Sequence, residues 1–193
     1  MTALLEAGAR VSRWLAWVGG AMLLLSAALV SLDVIFRSLW KVSFFESFEL
    51  STYAFAIATA MGMSYALVSK AHIRIELLYV LLPVRARAWL DVLAYGGLAV
   101  VAGVLLYFCG LTVLGNLQSG ARSNSSLSLP LVIPQGLWLL GLAWFAVLAL
   151  GFALFGLWHA ARGRPDVVQQ RLGVAALQEE IDASVATPKD ERC

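Results

Sequence analysis

The chain has 193 residues, of which 61% are hydrophobic and 13% charged, and a net charge of +2. Soluble domains carry roughly 25% charged residues, and a chain this short has no single core large enough to hide so much apolar surface. Lipid must therefore be the solvent for much of it, which excludes a soluble enzyme or a soluble binding domain.

The first apolar run extends from about Trp14 to Phe36. Arg10 and Arg13 precede it, as basic residues precede a signal peptide, but the run exceeds the roughly 7–15 residues of a signal h-region. It is read as a retained membrane span. Three more runs follow, at about 50–68, 89–113 and 135–158. Each approaches or exceeds the roughly 20 residues that cross a hydrocarbon core of about 30 Å. Backbone amides must be paired inside lipid, so each run is expected to be helical. Barrel strands, of about 9–11 residues, are far shorter. The predicted fold is an all-α membrane protein with four transmembrane helices. It comprises a membrane domain over 1–162 and a tail over 163–193. Tryptophans support the boundaries: Trp14 and Trp17, Trp40, Trp89, Trp138 and Trp158 stand near span ends, where amphipathic indoles prefer the headgroup level. Trp144 alone sits well inside a span.

Between the first two spans lies a short loop rich in charge and aromatics, from Arg37 to Glu49. Asp33 and Arg37, four residues apart, form an i,i+4 pair near the end of the first span. The pair can fix helix depth, contact a partner or form an ion site. Lys41 follows. Glu46 and Glu49 precede the second span; they read either as acids favoured by the helix dipole or as contacts to another subunit. The loop from Ser69 to Ala88 is amphipathic: Ile73, Leu77, Val80, Leu81 and Val84 share one helical face. A short interfacial helix is expected there, stopped near Pro83. Lys70, His72, Arg74 and Glu76 lie on it. His72 and His159 stand at span ends, so neither is placed to ligate a haem within the bundle.

The loop from Leu114 to Pro134 is rich in Ser, Asn and Gly and is expected to be irregular. In the tail, Val168 to Ile181 is a candidate surface helix, and the last ten or so residues are expected to be disordered. Cys109 is intramembrane and Cys193 terminal, so no disulfide or metal site is expected. Small residues recur at helical spacing, Ala54, Ala58 and Gly62 on the second span and Ala99 and Gly103 on the third, as helix contacts require.

With four spans the two ends share one side of the membrane with the middle loop. That side holds eleven basic residues: Arg10, Arg13, Lys70, Arg74, Arg85, Arg87, Arg162, Arg164, Arg171, Lys189 and Arg192. The other side holds three, Arg37, Lys41 and Arg122. The positive-inside rule makes the first side cytoplasmic, with both termini inside. The chain shows no phosphate-binding loop, nucleophile motif or Cys/His cluster, so neither an enzyme nor a cofactor is expected. Topology explains the basic loops without nucleic acid. Asp33 apart, no charge is read at mid-depth in a span, which argues for a supporting subunit over a conducting one.

Several segments now carry a resemblance. Lys70-Ala71-His72-Ile73-Arg74-Ile75-Glu76, followed by Leu81-Leu82-Pro83 with Arg85 and Arg87, resembles the inner-loop motif of the small membrane subunit of TRAP (tripartite ATP-independent periplasmic) transporters. Asp33 to Arg37 is similar to that family's end of the first helix, and Glu46 to Leu50 to its acidic approach to the second. Ser126 to Pro130, with Ile133-Pro134 before Gly141, is similar to its approach to the fourth. Where the family more often has Asp, this chain has Glu76. The resemblance implies a scaffold in the bacterial inner membrane, packed beside a large permease subunit. The permease performs uptake, usually sodium-driven, of a solute, commonly a carboxylate, delivered by a periplasmic binding protein. Partners are thus the permease, the binding protein and lipid. Asp33, Arg37, Lys41, Glu46, Glu49, Lys70, His72, Arg74 and Glu76 are the candidate partner contacts. A redox membrane anchor would need axial histidines inside the spans, and a small four-helix exporter would place an acid centrally in its first helix.

Overall fold

The computed structural model describes residues 2–41, 46–70 and 82–172. Five helices are present among them: α1 (Thr2–Trp40), α2 (Ser47–Val68), α3 (Val84–Ser119), α4 (Val132–Ala161) and α5 (Pro165–Leu172). The first four are long and apolar enough to cross a membrane. No strand occurs among the described residues, only an isolated bridge between Arg122 and Pro130. The expected interfacial helix falls on residues 71–81, outside the described residues. The candidate tail helix does so after Leu172.

The helices outrun the apolar runs. α1 has 39 residues and α3 has 36, lengths of about 58 and 54 Å at 1.5 Å per residue. α3 continues past Val113 because its end is tied down. Asn116 Nδ2 donates to Gln135 Oε1 at 2.8 Å, and the Asn116 carbonyl accepts from Ala121 N at 3.1 Å. Part of the expected irregular loop is therefore helix. The tail helix begins earlier than expected, with Pro165 in its first turn, where proline's fixed φ suits a helix start.

The packing order is α1, α2, α4, α3. α2 and α4 stand centrally and α3 runs along α4 and α5. A third of the α2 span is buried against 6% of the α3 span, so most of the α3 surface is left to lipid or a partner. α2 is gripped from two sides by small residues. A Cβ on Gly19 of α1 would stand 3.1 Å from the Ala58 Cα, and one on Gly141 of α4 would stand 3.1 Å from the Ala60 Cβ. These glycines let the backbones approach, which supplies dispersion contact where the hydrophobic effect between helices is absent. Of the small residues named from sequence, Ala58 makes such an approach, while Gly62 and Gly103 face open space.

The main apolar cluster lies along the α3–α4 seam, with Tyr95, Ala102, Phe145, Ala149 and Phe155 buried. Tyr95 stacks on Phe152 with centroids 5.5 Å apart. α5 closes one end of that seam. Its Val168 and Leu172 are fully buried, and Leu172 Cδ1 fills the space a side chain at Gly156 would need.

One contact sets the axial register. Trp144 Nε1 donates to Ser12 Oγ at 3.1 Å, and Ser12 is fully buried. Gly8 meets the Leu148 side chain in the next turn. α1 thus leans on α4 at the Arg162 end of the molecule. Toward the Asp33 end α1, α2 and α4 leave a groove of about 300 Å³ between them, lined by Leu25, Leu29, Tyr53, Ile57, Ile133 and Leu137 among others.

Candidate functional site

At the Asp33 end two polar clusters join the helix ends. Asp33 is 2% exposed, a position where an unpartnered carboxylate would be costly. Its Oδ2 accepts from Arg37 Nη2 at 2.9 Å and from Ser47 Oγ at 2.8 Å. The i,i+4 spacing brings Arg37 onto the same face of α1. Ser47, the first residue of α2, closes the α1–α2 hairpin. The Arg37 side chain is 64% exposed, so the pair is asymmetric: a buried acid held by a base that reaches outward.

The second cluster centres on Glu49. Tyr53 Oη donates to Glu49 Oε1 at 2.6 Å, one turn along α2. The side chains of Ser123 and Ser125 stand beside the same carboxylate, yet neither meets the buried Oε2 at hydrogen-bonding geometry. The hydroxyls are the free rotors here, so we read the site as a carboxylate that two serines can approach, with Oε2 its weakest point. The connection it faces is built, not loose. Ser123 N donates to Leu129 O at 2.9 Å, Leu131 N to Ala121 O at 3.1 Å, and Arg122 Nη1 to Ser128 O at 3.2 Å. Glu49 therefore stands between the start of α2 and the α3–α4 connection.

The remaining candidates fall as follows. Glu46 occupies the N-cap position of α2, but its side chain makes no capping hydrogen bond. Lys41 and Lys70 follow the ends of α1 and α2, both with left-handed backbone, φ 54° and 56°. Glycine is the usual residue there; a lysine accepts some strain while placing positive charge at the negative pole of each helix. Both are exposed. Lys41 shares the Asp33 end with Arg37, Glu46 and Glu49, whereas Lys70 stands at the opposite end. His72, Arg74 and Glu76 lie outside the described residues.

Sequence reasoning passed over two positions. Asp91 is 1% exposed in α3; it lies two residues inside the third span's expected start at Trp89, and its charge was absorbed into the boundary. Ser12 lies just ahead of the first apolar run and carries no motif of its own. The indole of Trp144, isolated inside a span, was the available signal that a polar partner must reach it.

Four helices able to cross a membrane, with polar clusters gathered at their ends, define a multi-pass membrane protein. The model of the family described as tripartite ATP-independent periplasmic transporters, DctQ component, matches residues 26–160. The chain belongs to that family, one of transporter components and not of enzymes. The family's setting is the bacterial inner membrane, and its members work with a large permease and a periplasmic binding protein. Comparison with curated proteins and with solved structures gave no match.

Proposed function

We propose that this chain is the scaffold subunit that holds the large permease in the membrane, with both termini cytoplasmic and the Asp33 end periplasmic. The transporter it serves performs secondary active, sodium-coupled uptake of a carboxylate-bearing solute. The observation that carries the scaffold reading is the open helix order. Among the described helices α3 packs chiefly on α4 and α5, and only 6% of the residues along its span are buried, as in a helix whose remaining faces belong to a neighbouring subunit or lipid. Arg37, Lys41, Glu46 and Glu49 then face the periplasmic binding protein, and Lys70, His72, Arg74 and Glu76 lie toward the cytoplasmic side of the permease.

The test is solute uptake by the reconstituted transporter carrying Glu46→Lys and Glu49→Lys. Uptake is expected to fall while the permease still co-purifies. Unchanged uptake removes the docking role of these acids. A permease that no longer accompanies the wild-type chain removes the scaffold reading itself.

A further inference from the structure

Two troughs on the membrane-facing surface share one construction. The first is about 900 Å³ and is lined by Arg13, Ala16, Trp17, Gly20, Ala21 and Leu24 of α1 with Tyr65 of α2. The second is about 580 Å³ and is lined by Leu154, Leu157, Trp158, Ala161 and Arg162 around the end of α4. Each has one arginine, Arg162 capping α4 and Arg13 beside the start of the first apolar run within α1, a tryptophan four residues further into the span, and apolar walls beyond. The groove at the Asp33 end, by contrast, has no cation in its lining.

The arginines are equipped for phosphate. The Arg162 guanidinium lies 3.8 Å from the Trp158 ring centroid. Stacking occupies the flat face of the cation and leaves its in-plane N–H groups as donors, the geometry that grips a phosphate through two parallel hydrogen bonds. Arg13 stands beside Trp17, which is 76% exposed, on a floor of small residues that an acyl chain can cover. Among the described residues no carboxylate pairs with Arg13 or Arg162, Asp166 included.

We propose that these two troughs are binding sites for anionic phospholipid, with the lipid phosphate on Arg13 or Arg162 and an acyl chain along the apolar wall. Charge complementarity selects this occupant. An apolar helix of the permease laid in either trough would bury a guanidinium without a counter-charge, which is costly in lipid. A phospholipid brings the phosphate at the depth to which an arginine reaches from a span end, and its chain fills the space beyond. The proposal rests on the family reading only for the partner present in the preparation.

The experiment uses the complete transporter, purified gently and exchanged into phosphatidylglycerol and phosphatidylcholine in equal amounts. Native mass spectrometry then reads the retained lipid. The wild type is expected to keep phosphatidylglycerol in preference. Arg13→Gln and Arg162→Gln should each lower that preference several-fold, the double variant should abolish it, and Arg122→Gln should leave it unchanged. Arg13→Lys, which keeps the charge, should retain most of it and guards against misfolding as the cause. A double variant that keeps the preference, or a wild type that holds both lipids equally, overturns the proposal. Co-purification of the permease is read from the same spectra, so failure of the scaffold reading is seen separately.

Discussion

Ser12 and Trp144 are joined by a hydrogen bond of 3.1 Å, although one lies ahead of the first apolar run and the other sits deep within the fourth. Trp158, near the far end of that run, is 14 residues further along α4, about 21 Å on. The α3–α4 hairpin is therefore displaced toward the Arg162 end relative to the α1–α2 hairpin. A bilayer perpendicular to the helices cannot cover both apolar zones. Inclined helices narrow the mismatch, and tilt is the usual response of helices longer than the hydrocarbon core. Tilt also brings Arg13 and Arg162 closer in depth. We expect nitroxide labels at Ala16 and Leu157 both to favour collision with oxygen over a water-soluble nickel chelate in liposomes. A Leu157 label exposed to the chelate would mean an upright seating.

The Ser12–Trp144 bond itself is open to a double-mutant cycle. Ser12→Ala and Trp144→Phe each remove one partner of a part-buried hydrogen bond, for an expected loss of about 1–2 kcal/mol each. Their coupling should be about 0.6 kcal/mol, in line with interhelical hydrogen bonds in membranes. Denaturant unfolding in micelles measures both. Additive losses would show that the bond carries no net stability and that the register is set by packing, at Gly8 on Leu148 and Gly141 on Ala60.

The four spans were legible because lipid imposes one requirement on every residue of a run, and hydropathy reads that requirement directly. Packing was less legible. Ala58 was named from a four-residue spacing that also named Gly62, yet Ala58 meets Gly19 and Gly62 meets nothing. Spacing fixes which residues share a helix face, not which face finds a neighbour. Asp33 and Arg37 were found by their i,i+4 relation, but Ser47 is 14 residues away and only the hairpin brings it in. Glu49 was named without Ser123 and Ser125, whose approach depends on a connection more than 70 residues later.

The Asp33 cluster predicts an unequal pair of variants. Removing the exposed partner, Arg37→Met, leaves a carboxylate at 2% exposure with a major donor lost, for an expected cost of about 3 kcal/mol. Asp33→Asn keeps the shape and the Ser47 contact and leaves Arg37 in reach of water, for about 1 kcal/mol. Thermal unfolding in detergent reads the order. If Asp33→Asn proves the more damaging, the carboxylate charge is needed for more than pairing with Arg37.

Glycines separate internal packing from partner packing. A side chain at Gly141 meets the α2 backbone at Ala60 and Met61, so Gly141→Leu should destabilise the isolated chain by about 1–3 kcal/mol through overpacking. Gly103 lies in open space on α3, and Gly103→Leu should leave isolated stability within about 0.5 kcal/mol. If that stretch of α3 faces the permease, the same variant lowers recovery of the permease on purification. Normal recovery assigns it to lipid.

The orientation can be read with a reporter already in the chain. Cys193 is the last residue and Cys109 lies within α3. In a Cys109→Ala background, an impermeant maleimide should label Cys193 only after the membrane is permeabilised, as the proposed orientation requires. A cysteine at Ser126, on the exposed α3–α4 connection, should label in intact cells whose outer membrane has been opened. The two sites lie on opposite sides in any four-span topology, so the result turns on which one reacts first. Labelling of Cys193 from outside would place Arg37, Lys41, Glu46 and Glu49 in the cytoplasm and end their proposed role in docking the binding protein.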